Sequence, residues 1–283
     1  VAGCGEKPGR EGRRAGPSEE RGDVNTTDHA DRASAFATHR DAVAAETARF
    51  VQVLRGADLA APVPTCPGWT LADLVRHTGS VQRWFAALLR KRVQERPLSR
   101  EVELRLPESE DGYADWLADS AAEAASAFAG VDPDAPMWAW GADQHAGFWA
   151  RRMLFETLVH RADAELALGL TPVIDPALAT DGVDEFLVNL PFATPFAPGV
   201  AELRGTGETL RFRATDTGGD WTVRLRPDGF GLEPSPAGAD TTVQGSAADL
   251  LLLAYGRQHR DAPAFEVSGD EGLLTRWAAH SKF

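Results

Sequence analysis

Glu156-Thr157-Leu158-Val159-His160 sets a carboxylate and an imidazole four residues apart in a stretch with helical apolar spacing. Residues four apart on a helix lie about 6 Å from each other on one face, the spacing by which one helix offers two ligands to a single metal ion. A second imidazole, His77, falls in the stripe Leu74, His77, Val81, Trp84, Leu88. The steps of that stripe alternate between three and four, which puts His77 on a face turned toward a core. Nitrogen, oxygen and nitrogen donors that leave a fourth tetrahedral position open form the pattern of a catalytic zinc site. The same residue types also have plainer uses. A Glu–His pair at this spacing adds a few tenths of a kcal/mol on a solvent-facing helix, and a core histidine often serves as a hydrogen-bonded structural residue. Spacing alone leaves these readings open.

Other side chains could meet a substrate. The adjacent Arg151 and Arg152 are candidates for binding a cofactor, and Arg257 is a candidate catalytic residue, since a guanidinium grips anionic groups bidentately. Cys66 lies close to a helix start, where the dipole lowers a thiol pKa. Its place before Pro67, with no histidine beside it, fits a packed or capping residue better. His39, His145, His259 and His280 lack ligand spacing and are expected to be solvated.

Composition limits the partners. The chain has 283 residues, with Lys+Arg 29 against Asp+Glu 42 and a net charge of −13. So acidic a surface repels phosphate backbones, which excludes nucleic acid as a partner. An anionic substrate would have to be held against that field by local arginines, which singles out Arg151, Arg152 and Arg257. No apolar run approaches the roughly 18 residues of a membrane span, so no membrane partner is expected. The two cysteines, Cys4 and Cys66, cannot build a disulfide framework, and a cytoplasmic location is expected. Only Lys7, Lys91 and Lys282 are lysines, an arginine bias that fits a GC-rich, actinobacterial source.

Several elements must position these residues. Residues 1–30 are read as a disordered tail, since residues 1–28 hold six glycines and offer only Val1 and Val24 as large aliphatics. Val1-Ala2-Gly3-Cys4 matches a lipoprotein cleavage box. Such a box works only behind a charged and then an apolar segment, and an incidental match is expected. Phe36, Val43, Phe50, Val51 and Leu54 recur at helical spacing between Asp31 and Gly56. After the proline-punctuated loop 62–69, Thr70-Leu71-Ala72-Asp73 reads as a capping box that starts a helix running to about Glu95. Further helices are expected over Gly112–Phe128, Phe148–Leu168 and Pro176–Leu190, with a loop at Gly130–Gly147. Beyond residue 200 the period changes from 3.6 to 2. Leu210–Arg213 and Trp221–Leu225 flank Gly218-Gly219 as a hairpin. Thr242–Gln244 and Phe265–Val267 are further strands, with helices at Ala247–Tyr255 and Asp270–Ala279.

Two long motifs carry a family resemblance. Val63-Pro64-Thr65-Cys66-Pro67-Gly68-Trp69-Thr70-Leu71-Ala72-Asp73-Leu74-Val75-Arg76-His77 resembles a signature of the mycothiol-dependent maleylpyruvate isomerase family, within the DinB-like metal-binding bundles. Arg151 through Glu165 resembles its second signature, and Gly245–Leu250, Tyr255-Gly256-Arg257 and Gly269-Asp270 are similar to its sterol-carrier-like C-terminal domain. The resemblance covers roughly residues 32–283. It implies an α+β fold: a DinB-like four-helix bundle at 31–195, then a small α+β domain at 200–283.

The resemblance also implies that His77, Glu156 and His160 ligate a divalent metal, zinc by preference. Mycothiol would be the thiol cosubstrate, and Arg257 would lie where the C-terminal domain supplies a functional arginine. Phe155 and Ala162 depart from the family, whose members often carry His and Trp there. The implied function is activation of mycothiol for addition to an electrophilic small molecule, as isomerase or S-transferase, in a monomer or homodimer. A metal-dependent hydrolase, or a non-catalytic binding or regulatory protein with a structural metal, is the alternative. An open metal position beside a concave pocket favours the enzyme. Asp163, one turn beyond His160, is a candidate to orient a ligand or an arginine, or else to form a surface ion pair with Arg152 or Arg161.

Overall fold

The computed structural model describes residues 23–98, 102–234 and 238–282, with side chains from residue 31 onward. The expectations for Cys4 and for residues 1–22 lie outside the described residues. Four helices form the first layer: α1 (Asp23–Leu54), α2 (Leu71–Lys91), α3 (Tyr113–Phe128) and α4 (Ala146–Ala167). α1 packs on α3 and α4, and α2 on the same two, which closes a four-helix bundle. α1 begins inside the segment expected to be a tail. No Gly or Pro interrupts residues 23–55, so a helix nucleated by the packed stretch from Phe36 to Leu54 can propagate backward.

The start of α2 follows its sequence signal. The Asp73 amide donates to Thr70 Oγ1 at 3.2 Å, and the Thr70 amide donates to the Asp73 carboxylate at 3.1 Å. Its end comes at Lys91, earlier than the expected Glu95, because Arg92 turns left-handed with φ 44° and caps the last carbonyls. α5 (Pro176–Asn189) leads out of the bundle and packs against α6 (Ala247–Ala254). Gly182 permits this approach: a Cβ there would stand 2.8 Å from Phe155 of α4 and 2.9 Å from Leu251 of α6.

The remaining chain forms a mixed five-stranded sheet in the order β3-β2-β1-β4-β5 with α6 and α7 (Glu271–His280). β1 (Thr209–Ala214) and β2 (Asp220–Arg226) make the expected hairpin, with Leu210 opposite Val223 and Phe212 opposite Trp221. β4 (Thr241–Gly245) runs parallel to β1, and β5 (Glu266–Gly269) pairs antiparallel with β4. β3 (Gly229–Glu233) carried no sequence signal, because two glycines in five residues and a half-buried position blur its alternation. The fold class is α+β. The larger hydrophobic cluster runs without a break from Phe85 and Trp149 in the bundle, through Phe155 and Phe186, to Leu251 and Trp277 beside the sheet. A smaller one, around Phe50, Leu71, Leu74 and Trp116, closes the end of the bundle near the loop 62–69. No helix among the described residues is long and apolar enough to cross a membrane.

Candidate metal centre and its cavity

α4 presents Trp149, Met153, Glu156 and His160 to one cavity of about 440 Å³, and α2 presents His77 to the same space. The loop before α2 adds Thr65, Cys66 and Trp69, and the chain after α6 adds Tyr255 and Arg257. The cavity therefore sits where the bundle meets the C-terminal half. The 32% exposure of the His77 side chain is exposure to this opening, whereas His160 is buried.

His77, Glu156 and His160 converge. Glu156 Oε1 lies 3.1 Å from His77 Nε2 and 3.4 Å from His160 Nε2. Ligands held about 2.0–2.1 Å from a tetrahedral ion stand roughly 3.3–3.4 Å apart along each edge, so the donor set fits a zinc-sized cation. Among the described residues no fourth His, Cys or carboxylate donor joins these three. The rings of His77 and His160 meet edge to face at 4.9 Å, and Trp69 leans tilted against both, 5.0 Å from the His77 ring and 6.3 Å from that of His160.

Outer contacts fix His160 and Glu156. His160 Nδ1 lies 2.9 Å from Asp163 Oδ2, which leaves Nε2 for the triad. Asp163 is wholly buried and also accepts hydrogen bonds from Thr65 Oγ1 at 2.6 Å and from Arg257 Nε and Nη2 at 2.9 and 2.8 Å. Burial pushes the Asp163 carboxyl up, but His160 and Arg257 outweigh it and hold the group far below the usual carboxylate range. Burial likewise raises Glu156, and His160, His77 and Arg152 bring it well below. Burial favours neutral His160, yet Asp163, Cys66 and Glu156 hold its pKa well above the ordinary value. A metal cation at Nε2 would replace that proton, and the neighbouring carboxylates that favour the positive charge of the one also favour that of the other.

The three arginines have different fates. Arg152 is buried beside the cavity, with Nη2 3.2 Å from Glu156 Oε2 and Nη1 2.7 Å from Glu185 Oε2 and 2.8 Å from the Tyr255 hydroxyl. It orients the Glu156 carboxylate from behind. Arg257 also lines the cavity, and its charge is spent on Asp163, with Nη1 on the Tyr255 carbonyl at 2.7 Å. Arg151 points elsewhere, into ion pairs with Asp181 and Asp184 at 2.6 and 2.8 Å, so the neighbouring pair does not act as one anion clamp. One helical step separates Arg151 from Arg152 by about 100°, which carries the two guanidiniums to different faces of α4.

Asp163 takes the orienting role, and neither surface pair forms. Cys66 stands in the cavity wall with Sγ 3.5 Å from Asp163 Oδ2 and 3.6 Å from Arg257 Nη2. Glu185 was not foreseen in this site. Its signal was the line Gly182, Glu185, Asn189 at steps of three and four on the buried side of α5, apart from the exposed Asp184. Phe155 and Ala162 are fully buried and leave the donor set untouched.

The family model described as the mycothiol maleylpyruvate isomerase N-terminal domain matches residues 40–165, and that of the MDMPI C-terminal domain matches residues 177–276. Two crystal structures of the mycothiol-dependent maleylpyruvate isomerase, one of them a point mutant, superpose with a TM-score of 0.56 at 16% and 15% identity. Each alignment covers 82% of this chain and 92% of the other, and establishes a shared fold. A ubiquinone synthesis protein, UbiJ-SCP2, aligns with 37% of the chain at 22% identity and a TM-score of 0.27, too low to bear on the fold. No curated protein matches the chain in sequence.

Proposed function

The chain belongs to the mycothiol-dependent maleylpyruvate isomerase family, and from that membership and the donor set we propose a zinc-dependent enzyme that activates mycothiol for addition to a small electrophile. The observation that carries this reading is the N–O–N set, 3.1 and 3.4 Å between neighbouring donors, facing a cavity large enough for a small molecule. His77, Glu156 and His160 would hold the ion. Bound there, zinc would supply the positive charge that lowers a thiol's pKa and keeps its sulfur nucleophilic near neutral pH.

The chain's own residues supply the rest. Asp163 holds His160 by Nδ1, so Nε2 stays turned to the triad. Arg152 holds the outer oxygen of Glu156, so Oε1 stays between the two imidazoles. Trp69, Trp84, Trp140 and Trp149 wall the cavity and keep bulk water from a reactive sulfur. Addition of the thiol, rotation about the carbon–carbon bond that the addition has reduced from double to single, and loss of the thiol with return of the double bond give an isomerase. Retention of the new carbon–sulfur bond gives an S-transferase. The open cavity beside a three-donor set supports an enzyme over a protein with a purely structural metal, which would add a fourth protein ligand.

The test is metal analysis followed by calorimetric titration with mycothiol. One zinc per chain, saturable heat with the thiol and loss of both in His160→Ala are expected. Unchanged thiol-dependent turnover in a metal-free His160→Ala protein would overturn the reading, and turnover without any thiol would replace it with a hydrolase.

A further inference from the structure

The guanidiniums in the cavity wall are already answered. Arg152 faces Glu185 and Glu156, and Arg257 faces Asp163 through two parallel hydrogen bonds. Three carboxylates, Glu156 in the wall and the buried Glu185 and Asp163 behind it, thus answer the two guanidiniums. Arg151, the third arginine able to greet an anion, is held by Asp181 and Asp184 on another face of α4. A divalent ion at the triad would be answered by Glu156 and the sulfur of a bound thiolate, which leaves no surplus positive charge for a substrate carboxylate. The chain's net charge of −13 adds a repulsive field around the opening. Beside the triad, the two arginines and the polar Thr65, Cys66 and Tyr255, the wall is apolar and aromatic, chiefly Trp69, Trp84, Trp140, Trp149, Met153 and Phe196.

We infer that the electrophile taken by this cavity is uncharged and predominantly apolar, in contrast to maleylpyruvate, which carries two carboxylates. The inference rests on the reading that the cavity binds an electrophile beside a thiol, and it assigns Glu185 as a specificity-determining residue. By pairing Arg152, Glu185 removes from the pocket the cation that an anionic substrate would need. Placing a carboxylate in a low-dielectric wall without a partner is costly, whereas an ester, ketone or aromatic electrophile meets no such penalty.

The experiment uses the full metal-loaded chain and two probes with one ring skeleton. N-phenyl-1-naphthylamine is neutral, and 8-anilinonaphthalene-1-sulfonate adds a single negative charge. Fluorescence titration is expected to show the neutral probe binding at least tenfold more tightly, with that binding lost in Val81→Trp, which fills the cavity. Glu185→Gln, which removes one of the two carboxylates paired with Arg152 while keeping the side-chain shape, should raise sulfonate affinity about tenfold and move the neutral probe less than twofold. If this variant does not fold, the wild-type ratio decides alone. In parallel, the mycothiol-dependent rates of dimethyl maleate and maleate, each divided by its uncatalysed rate with the same thiol, should favour the ester at least tenfold. Equal or tighter sulfonate binding, a cavity that takes neither probe, or preference for the dicarboxylate overturns the inference. Absence of thiol turnover with both electrophiles refutes the thiol enzyme instead, and the probe ratio still reads the charge preference.

Discussion

Around His160 and around His39 the chain gathers the same three kinds of side chain. In the first cluster His160 meets Asp163, which meets Arg257; in the second His39 meets Asp181 at 2.9 Å, which meets Arg151. The distances are alike, and both carboxyls are held below their ordinary range although burial pushes each up, Asp163 by His160 and Arg257, Asp181 by His39 and Arg151. Two things differ. The Asp163 side chain is 0% exposed and that of Asp181 is 32% exposed, so water screens the second cluster. And the ring of His160 has a second nitrogen facing Glu156 and His77, whereas among the described residues no group of three ligand-type side chains forms around His39. Residue chemistry is therefore shared, and convergence with burial separates a candidate metal centre from an ion-pair network.

The strongest way to break this comparison is to remove each histidine. A second-sphere change costs about 10–100-fold in metal affinity, so loss of a ligand itself should exceed about 100-fold. His160→Ala is expected to abolish zinc retention after dialysis, read by elemental analysis, and His39→Ala to leave the metal content unchanged. Equal loss in both would show that the two clusters do not differ in the way proposed. Next come the carboxylates. Asp163→Asn should weaken zinc about 10–100-fold and destabilise the protein by about 3 kcal/mol in urea titration, because it leaves Arg257, whose side chain is 11% exposed, without its buried counter-charge. Asp181→Asn should cost less than about 1 kcal/mol, as for a screened pair.

Much of the first cluster was legible in the sequence, since it lies on local spacing. His77 stood in a stripe with period 3.6, Glu156 and His160 stood four apart, and the Thr70–Asp73 capping box fixed where α2 begins and so where His77 faces. The partners that arrive from distant chain segments were not legible. Arg257 reaches Asp163 across 94 residues and Tyr255 reaches Glu185 across 70, and no local period encodes such a meeting. The same limit explains Arg151 and Arg152: the sequence showed two adjacent charges, and only the placement of α5 decides that one meets Asp181 and the other Glu185. The hairpin of β1 and β2 was visible in its alternation, while β3, with glycines at 229 and 231, had too little pattern to see.

The adjacent arginines give a finer test. Arg152→Met should destabilise by about 3 kcal/mol, since Glu185 and Glu156 lose a buried counter-charge, and should weaken zinc about tenfold by releasing Glu156. Arg151→Met should leave zinc binding unchanged and cost about 1 kcal/mol or less, because its partners Asp181 and Asp184 are 32% and 43% exposed. Matching losses of zinc in the two variants would mean that the two faces of α4 are coupled.

The smallest effect concerns pH and isolates the second cluster. The folded pKa of Asp181 is depressed, so its pairing contributes stability fully above the unfolded value of about 3.9 and loses it as the pH falls through the folded value. Asp181→Asn removes that proton equilibrium. Its penalty, below about 1 kcal/mol after allowance for solvent screening, should be present at pH 5 and should shrink as the pH approaches 3, so the urea midpoints of variant and wild type converge. A penalty that persists undiminished at pH 3 would mean that the carboxylate's charge is not what holds His39 and Arg151, and the cluster would then be a packing feature with no electrostatic likeness to the one around His160.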